Sequence, residues 1–167
     1  MSKPLRQVQD KFKEAMANVA TPVAVVSSVD GIQPVGTTVS AFTALSMNPP
    51  MVLVSLDKGS QTLEQVTSSK RFGLNILASD QQSAAVRFAG KGGAKKFEGI
   101  RWDIDHSVPR IPGIAGWVAC VVETIVEGGD HMVVLGKVVA AEHVHEEPLT
   151  YHGRVFGTHA ALAPANQ

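Results

Sequence analysis

Cysteine is almost absent: Cys120 stands alone among 167 residues. No disulfide can form within the chain, and a reducing compartment is expected. An excess of either charge is also missing, because fifteen Lys and Arg balance fifteen Asp and Glu. A broad nucleic-acid or membrane surface would normally need a cationic surplus, so neither partner is expected. No run approaches the ~18 apolar residues of a membrane span. Met1 to Gln7 lacks the apolar core of a signal peptide, so a cytoplasmic location is expected. The spacings G-x-G-x-x-G, G-x-x-x-x-G-K-[ST] and G-x-S-x-G do not occur either. A Rossmann unit, a P-loop and a serine-hydrolase elbow therefore have no support.

What is present describes one globular domain over residues 1–167, with no linker or internal repeat. Hydrophobic residues make up 44% and charged residues 18%, a soluble balance. At zero net charge, solubility near neutral pH favours burial of apolar area in an oligomer.

Val8, Phe12, Met16 and Val19 share one helical face, predicting an amphipathic helix over 5–19 whose stripe docks on a sheet. A β-branched strand follows over 21–29. Asp30-Gly31 signals a hairpin, with a return strand from Ile32 towards Phe42. Asn48-Pro49-Pro50 breaks the chain before an apolar strand, Met51 to Leu56. Ser60 reads as the N-cap of a helix over Thr62 to Ser68. Residues 72–77 alternate as a strand, and Ser79-Asp80-Gln81-Gln82 reads as a capping box opening a helix to about Phe88. Residues 89–116, rich in Gly, Pro and charge, read as a long, partly ordered loop with a short strand near Trp102. Trp117 to Glu127 and Met132 to Glu142 form a long hairpin around Gly128 to His131. A last strand near Arg154 to Phe156 precedes a polar, frayed tail. Short strands joined by turns, with few helices, predict a mainly β fold: an antiparallel, Greek-key-like barrel rather than a doubly wound sheet.

Six features bear on chemistry, each beside a plainer reading. Thr37, Thr38, Ser40, Thr43 and Ser46 offer hydroxyl donors to a phosphate or ring, and Gly36 and Ala41 allow close approach. The same run also reads as an ordinary Thr-rich strand. Ser55 to Thr62 brings a strand end to a helix N-terminus, where Ser60 and Thr62 can serve an anion or simply cap the helix. Arg87 to Phe97 is a basic, glycine-containing loop able to neutralise phosphates; Lys95 and Lys96 read as solvated. Gly129-Asp130-His131 places an imidazole at a hairpin turn, or merely supplies turn geometry. His143 and His145 share a strand face, but two histidines fall short of a closed metal site, and no metal is expected. Cys120, in an apolar strand, reads as packing rather than as a nucleophile.

These motifs occur in an order that resembles the short-chain flavin reductase family of the FMN-binding split-barrel fold, the reductase components of two-component, flavin-dependent monooxygenases. The stretches are Thr21 to Val26, Gly36 to Ser46, Pro49 to Leu56, Phe72 to Leu77, Arg87 to Gly90, Lys96-Phe97, Gly129 to His131 and Leu149 to Phe156. Where the family often carries two glycines or an aromatic pair, this chain reads His152-Gly153-Arg154-Val155-Phe156. The resemblance implies an antiparallel split β-barrel, NAD(P)H:flavin oxidoreductase activity on FMN or FAD, a homodimer with flavin near the interface, and a partner monooxygenase. It implies that Thr37, Thr38, Val39, Ser40 and Ala41 line the ring and ribityl chain, with Ser46, Ser55, Leu56 and Asp57 nearby. Ser60 and Thr62 would lie near the phosphate. Arg87, Phe88 and Ala89 would close the site. His131 and Tyr151 would face the nicotinamide, with Arg154 a further candidate. NADH is favoured over NADPH, because no Arg cluster awaits a 2′-phosphate. Hydride transfer needs two rings aligned at about 3–3.5 Å more than it needs a catalytic triad. A flavin-binding module without turnover and a pyridoxamine-phosphate-oxidase-type enzyme remain the alternative readings.

Overall fold

The computed structural model describes residues 3–162; the end of the polar tail expected to fray lies outside the described residues. The chain runs α1 (Lys3–Ala17), β1 (Thr21–Pro22), β2 (Ala24–Asp30), β3 (Gln33–Val39), β4 (Phe42–Met47), β5 (Pro50–Asp57), α2 (Gln61–Ser69) and β6 (Arg71–Ile76). It continues through α3 (Gln82–Ala89), a 3-10 helix (Gly93–Phe97), β7 (Asp103–Asp105), β8 (Val108–Arg110), β9 (Gly116–Gly128), β10 (His131–His143), β11 (Leu149–His152) and β12 (Val155–Thr158).

Seven antiparallel strands form one sheet in the order β3-β2-β6-β9-β10-β5-β4. Laid flat, its outer strands would stand roughly 29 Å apart at ~4.8 Å per strand. Yet β3 and β4 are consecutive, and the steps from Val39 to Phe42 span at most about 11 Å. The sheet must therefore curl until its edges meet at Ser40 and Ala41. There the Ser55 amide donates to the Ala41 carbonyl at 2.9 Å, extending the β4–β5 ladder by one residue. The result is a barrel split along the seam between β3 and β5. The expected single return strand from Ile32 to Phe42 is thus two strands with a corner between them. Ile32 falls in the preceding turn, where Gly31 takes the positive φ of +58°.

Alternation along the strands sends neighbouring residues to opposite faces. Val26, Val54, Leu56, Phe72, Leu74, Cys120 and Val134 fill one buried cluster. Val25, Leu77, Phe88, Phe97, Ile114, Trp117 and Leu149 form a second. Cys120 is 1% exposed and burial pushes its thiol up to about 12, in keeping with a packing role.

Three expectations are corrected. The segment 89–116 is ordered throughout, with Phe97, Val108, Ile111 and Ile114 all buried. Its apolar residues show no helical or strand period, so composition concealed them. Fully buried Asn75 pins the segment: its side-chain oxygen accepts from the Ile111 amide at 2.8 Å, and its amide group donates to the Val25 carbonyl at 3.1 Å. The capping box at Ser79 does not form, because Gln81 stands at the N-cap without a side-chain cap. Instead its side chain accepts from the Ala78 amide and donates to the Pro112 carbonyl. Finally, the stripe of α1 does not dock on a sheet of its own chain: Leu5, Val8, Phe12 and Met16 are 47–63% exposed. The helix is tethered near its C-terminus by the Gly153 amide on the Ala17 carbonyl (2.8 Å) and by Arg154 on Glu14 (2.6 Å).

Candidate functional site

The seam opens into a cleft of about 210 Å³ lined by Thr37, Thr38, Val39, Ser40 and Ala41 from one edge, by Ser55, Leu56, Asp57 and Ser60 from the other, and by His131. Ladder register explains the last: His131 stands opposite Asp57, so β10 starts where β5 ends. Ser60 caps α2 as its sequence position predicted, its hydroxyl oxygen accepting from the Thr62 (3.1 Å) and Leu63 (3.4 Å) amides. The Asp57 carboxylate accepts from the Gly59 amide at 2.7 Å, which shapes the strand-to-helix turn. The Lys58 amide donates to the Asp130 carbonyl at 3.0 Å, and the Lys58 ammonium pairs with Glu127. The two loops at the mouth are thereby fastened to each other.

The donor set is neutral. Hydroxyls of Thr37, Ser40, Ser55 and Ser60 converge, while Lys58 is committed to Glu127. Thr38 differs, because its hydroxyl donates outward to the Ala85 carbonyl at 2.7 Å. His131 Nδ1 lies 2.7 Å from Asp130 Oδ1. A carboxylate there orients the ring with Nδ1–H towards it and leaves Nε2 for a ligand. That hydrogen bond, and then the imidazolium charge, hold the Asp130 carboxyl below its usual range. The cleft is smaller than the ~300–1,000 Å³ pockets that enclose a drug-sized ligand. It suits a ring edge and a polyhydroxyl chain better than a whole dinucleotide.

Ten of the residues singled out in the sequence meet in this cleft. Seven others are placed elsewhere within one chain. Ser46 lies farther along β4. Thr62 is 3% exposed behind Ser60. Phe88 is fully buried in the core, so its ring packs behind β3, and Ala89 ends α3. The Arg87 guanidinium bonds to the carbonyls of Lys95 and Glu98. Tyr151, whose ring meets that of Phe156 at 5.0 Å and a tilt of 58°, and Arg154 belong to the hairpin beside α1. Lys96, read as solvated, is half-buried: its ammonium donates to the carbonyls of Gly36 and Phe88. The adjoining Phe97, whose ring is 4% exposed, was the signal in the sequence for that burial.

A split antiparallel barrel with a hydroxyl-lined cleft at its seam defines a class of flavin-handling proteins. The chain belongs to the flavin reductase like domain family, which matches residues 16–160. It is similar to FMN reductase (NADH) SmoA of Agrobacterium fabrum, 33% identical over 147 residues, 87% of this chain and 83% of that one. The reductase subunit HsaB of a flavin-dependent monooxygenase from Rhodococcus jostii is 33% identical over 150 residues, 88% of this chain and 76% of that one. Among solved structures, the NADH:FAD oxidoreductase SgcE6 of Streptomyces globisporus, in complex with NAD and FAD fragments, superposes with a TM-score of 0.84. The two are 28% identical, over 100% of this chain and 99% of that chain.

Proposed function

We propose that this protein is a flavin reductase that passes hydride from NADH to FMN or FAD and supplies the reduced flavin to a partner flavin-dependent monooxygenase. The observation that carries the reading is the seam cleft, with neutral hydroxyls on two facing edges and one oriented imidazole at the rim. Flavin, when bound, supplies the hydride acceptor. The chain's part is to hold and align. Thr37, Ser40 and Ser55 offer hydrogen bonds to uncharged ring and ribityl groups, and Ala41 gives apolar contact, while Leu56, 1% exposed, backs the wall from the core. His131, held by Asp130, takes the nicotinamide amide or assists a proton through Nε2. The rest of the implied set belongs to the same proposal. Ser60 and Thr62 present the start of α2 to a phosphate, Arg87, Phe88 and Ala89 support the cleft from α3, and Ser46 would meet the flavin farther along β4. The single cysteine suits a cytoplasmic location.

Mixing the protein with NADH and FMN or FAD should deplete the nicotinamide absorbance band. No oxidation with any pairing would overturn the assignment. In the same assay, His131→Ala should raise KM for NADH or lower kcat by roughly tenfold, the size of one lost charge-assisted hydrogen bond. Unchanged constants would remove His131 from the reaction.

The active form in this reading is a homodimer. The apolar stripe of α1 is left open, and the hairpin beside it carries Tyr151 and Arg154, which a second copy would bring towards the cleft. Leu45 and Met47 on the edge strand β4 are exposed too. A Phe12→Asp variant should sediment as a monomer and turn over flavin poorly. If wild type is itself monomeric and active, the dimer is wrong.

A further inference from the structure

One lysine outside the cleft is committed to the strand that builds it. Lys96 Nζ donates to the Phe88 carbonyl at 2.9 Å and to the Gly36 carbonyl at 3.2 Å. Phe88 lies in the last turn of α3, where carbonyls lack helical partners and the helix end is electronegative. Gly36 lies on β3, an edge strand laddered on one side only. Lys96 therefore bridges a helix end and a sheet edge. Burial holds its ammonium below the usual lysine range, so its charge is placed there at some cost.

The surrounding contacts point the same way. The Phe88 and Phe97 rings meet edge to face at 4.8 Å and press on Gly36, where an added Cβ would lie 3.2 Å from each. Two residues along the strand, the Thr38 hydroxyl is bonded to the Ala85 carbonyl of α3. Gly36 and Thr38 are thus both fixed from behind, and the cleft-lining run begins between them at Thr37. None of this touches the side of Ser40 and Ala41 that faces the cleft.

We infer that Lys96 is a positioning residue for flavin: its paired hydrogen bonds to Gly36 and Phe88 lock β3 against α3 and so set the wall that Thr37 to Ala41 present to the ring. The inference rests on flavin occupying the seam cleft. It assigns Lys96 no contact with either substrate and no share in hydride transfer.

The test compares Lys96→Met, which keeps length but loses the donors, with Lys96→Arg, which keeps charge and donors. Flavin Kd is read from fluorescence quenching with FMN and with FAD, and KM is measured separately for flavin and NADH. Lys96→Met should raise flavin Kd and KM roughly tenfold, as expected for losing a charge-assisted hydrogen bond. KM for NADH should stay unchanged, and Lys96→Arg should recover most of the flavin affinity. A merely structural lysine would instead lower Tm and disturb both substrates alike. Should Lys96→Met not fold, Lys96→Gln, which loses the charge and is too short to serve both carbonyls, should raise flavin Kd in the same direction. Unchanged flavin Kd in folded Lys96→Met, or in folded Lys96→Gln where Lys96→Met does not fold, overturns the inference. An Ala41→Trp control separates the two readings. If it abolishes flavin binding while the Lys96 variants do nothing, the cleft stands and Lys96 falls. If Ala41→Trp binds flavin normally, the placement of flavin fails and takes the Lys96 role with it.

Discussion

Replacing Ala41 with Trp is expected to lower kcat/KM for flavin at least a hundredfold, about 2.7 kcal/mol of lost binding, while the protein stays folded. Ala41 sits at the corner where the chain crosses from β3 to β4, and its side chain lines the cleft. Its structural duty is carried by the backbone, through the carbonyl that accepts from the Ser55 amide. An indole leaves that bond in place. Because Ala41 is exposed, no core group has to move. The indole would stand at the lining of a cleft of about 210 Å³, where it competes with flavin for the same space. The readout is NADH oxidation at varied FMN and FAD, with Tm measured alongside. Normal flavin kinetics at an unchanged Tm would show that the seam is not where flavin binds.

The second large effect concerns stability. Gly73→Ala should destabilise the fold by about 3 kcal/mol, the upper part of the range for overpacking a core, and lower Tm by roughly 10 °C. Gly73 lies in β6, near the centre of the sheet, opposite Ala119 of β9. Trp117 stands two residues away on β9, opposite Asn75, and its indole folds diagonally across Gly73. A Cβ at residue 73 would lie 2.3 Å from Trp117 Cη2, 2.7 Å from Cζ3 and 2.9 Å from Ser27 Oγ. The indole cannot retreat. It is 2% exposed in the core, and the Arg110 guanidinium sits 5.7 Å from its centroid. Trimming the ring should relieve the clash. In a Trp117→Phe background the cost of Gly73→Ala should fall by at least half, because the two side chains compete for one volume. Thermal or urea unfolding of the four proteins measures this. Equal cost in both backgrounds would refute the packing account. The Trp117 indole N–H is also buried without a hydrogen-bond partner among the described residues, so Phe removes an unsatisfied donor as well as volume.

The elements easiest to read from the chain were those with a local cause. Ser60 caps α2 because a hydroxyl acceptor before a helix satisfies its first free amides. The hairpin of β9 and β10 follows from two long β-branched runs around Gly128 to His131. Cys120 is buried because its neighbours are apolar. The expectations that failed had non-local causes. Residues 89–116 looked like loose loop because Phe97, Val108, Ile111 and Ile114 follow no period; a polar side chain 36 residues upstream of Ile111, that of Asn75, fixes the backbone there. Lys96 looked solvated because its burial depends on Gly36, 60 residues upstream on β3.

By itself, the order of motifs from Thr21 to Phe156 carried the resemblance that gave the family and the cleft residues, while strand alternation and turn chemistry, written in neighbouring side chains, gave most of the strands and the antiparallel barrel. Only the tertiary structure decided where the cleft opens and what supports it. Ser40 and Ala41 become a binding corner because a seven-stranded sheet must curl to join its own edges. The Thr38 hydroxyl and Lys96 are bonded to α3 because hydrogen bonds between distant segments form only once the chain has closed. The free face of α1 follows from the same cause, since an apolar stripe announces that it will be covered but not by what.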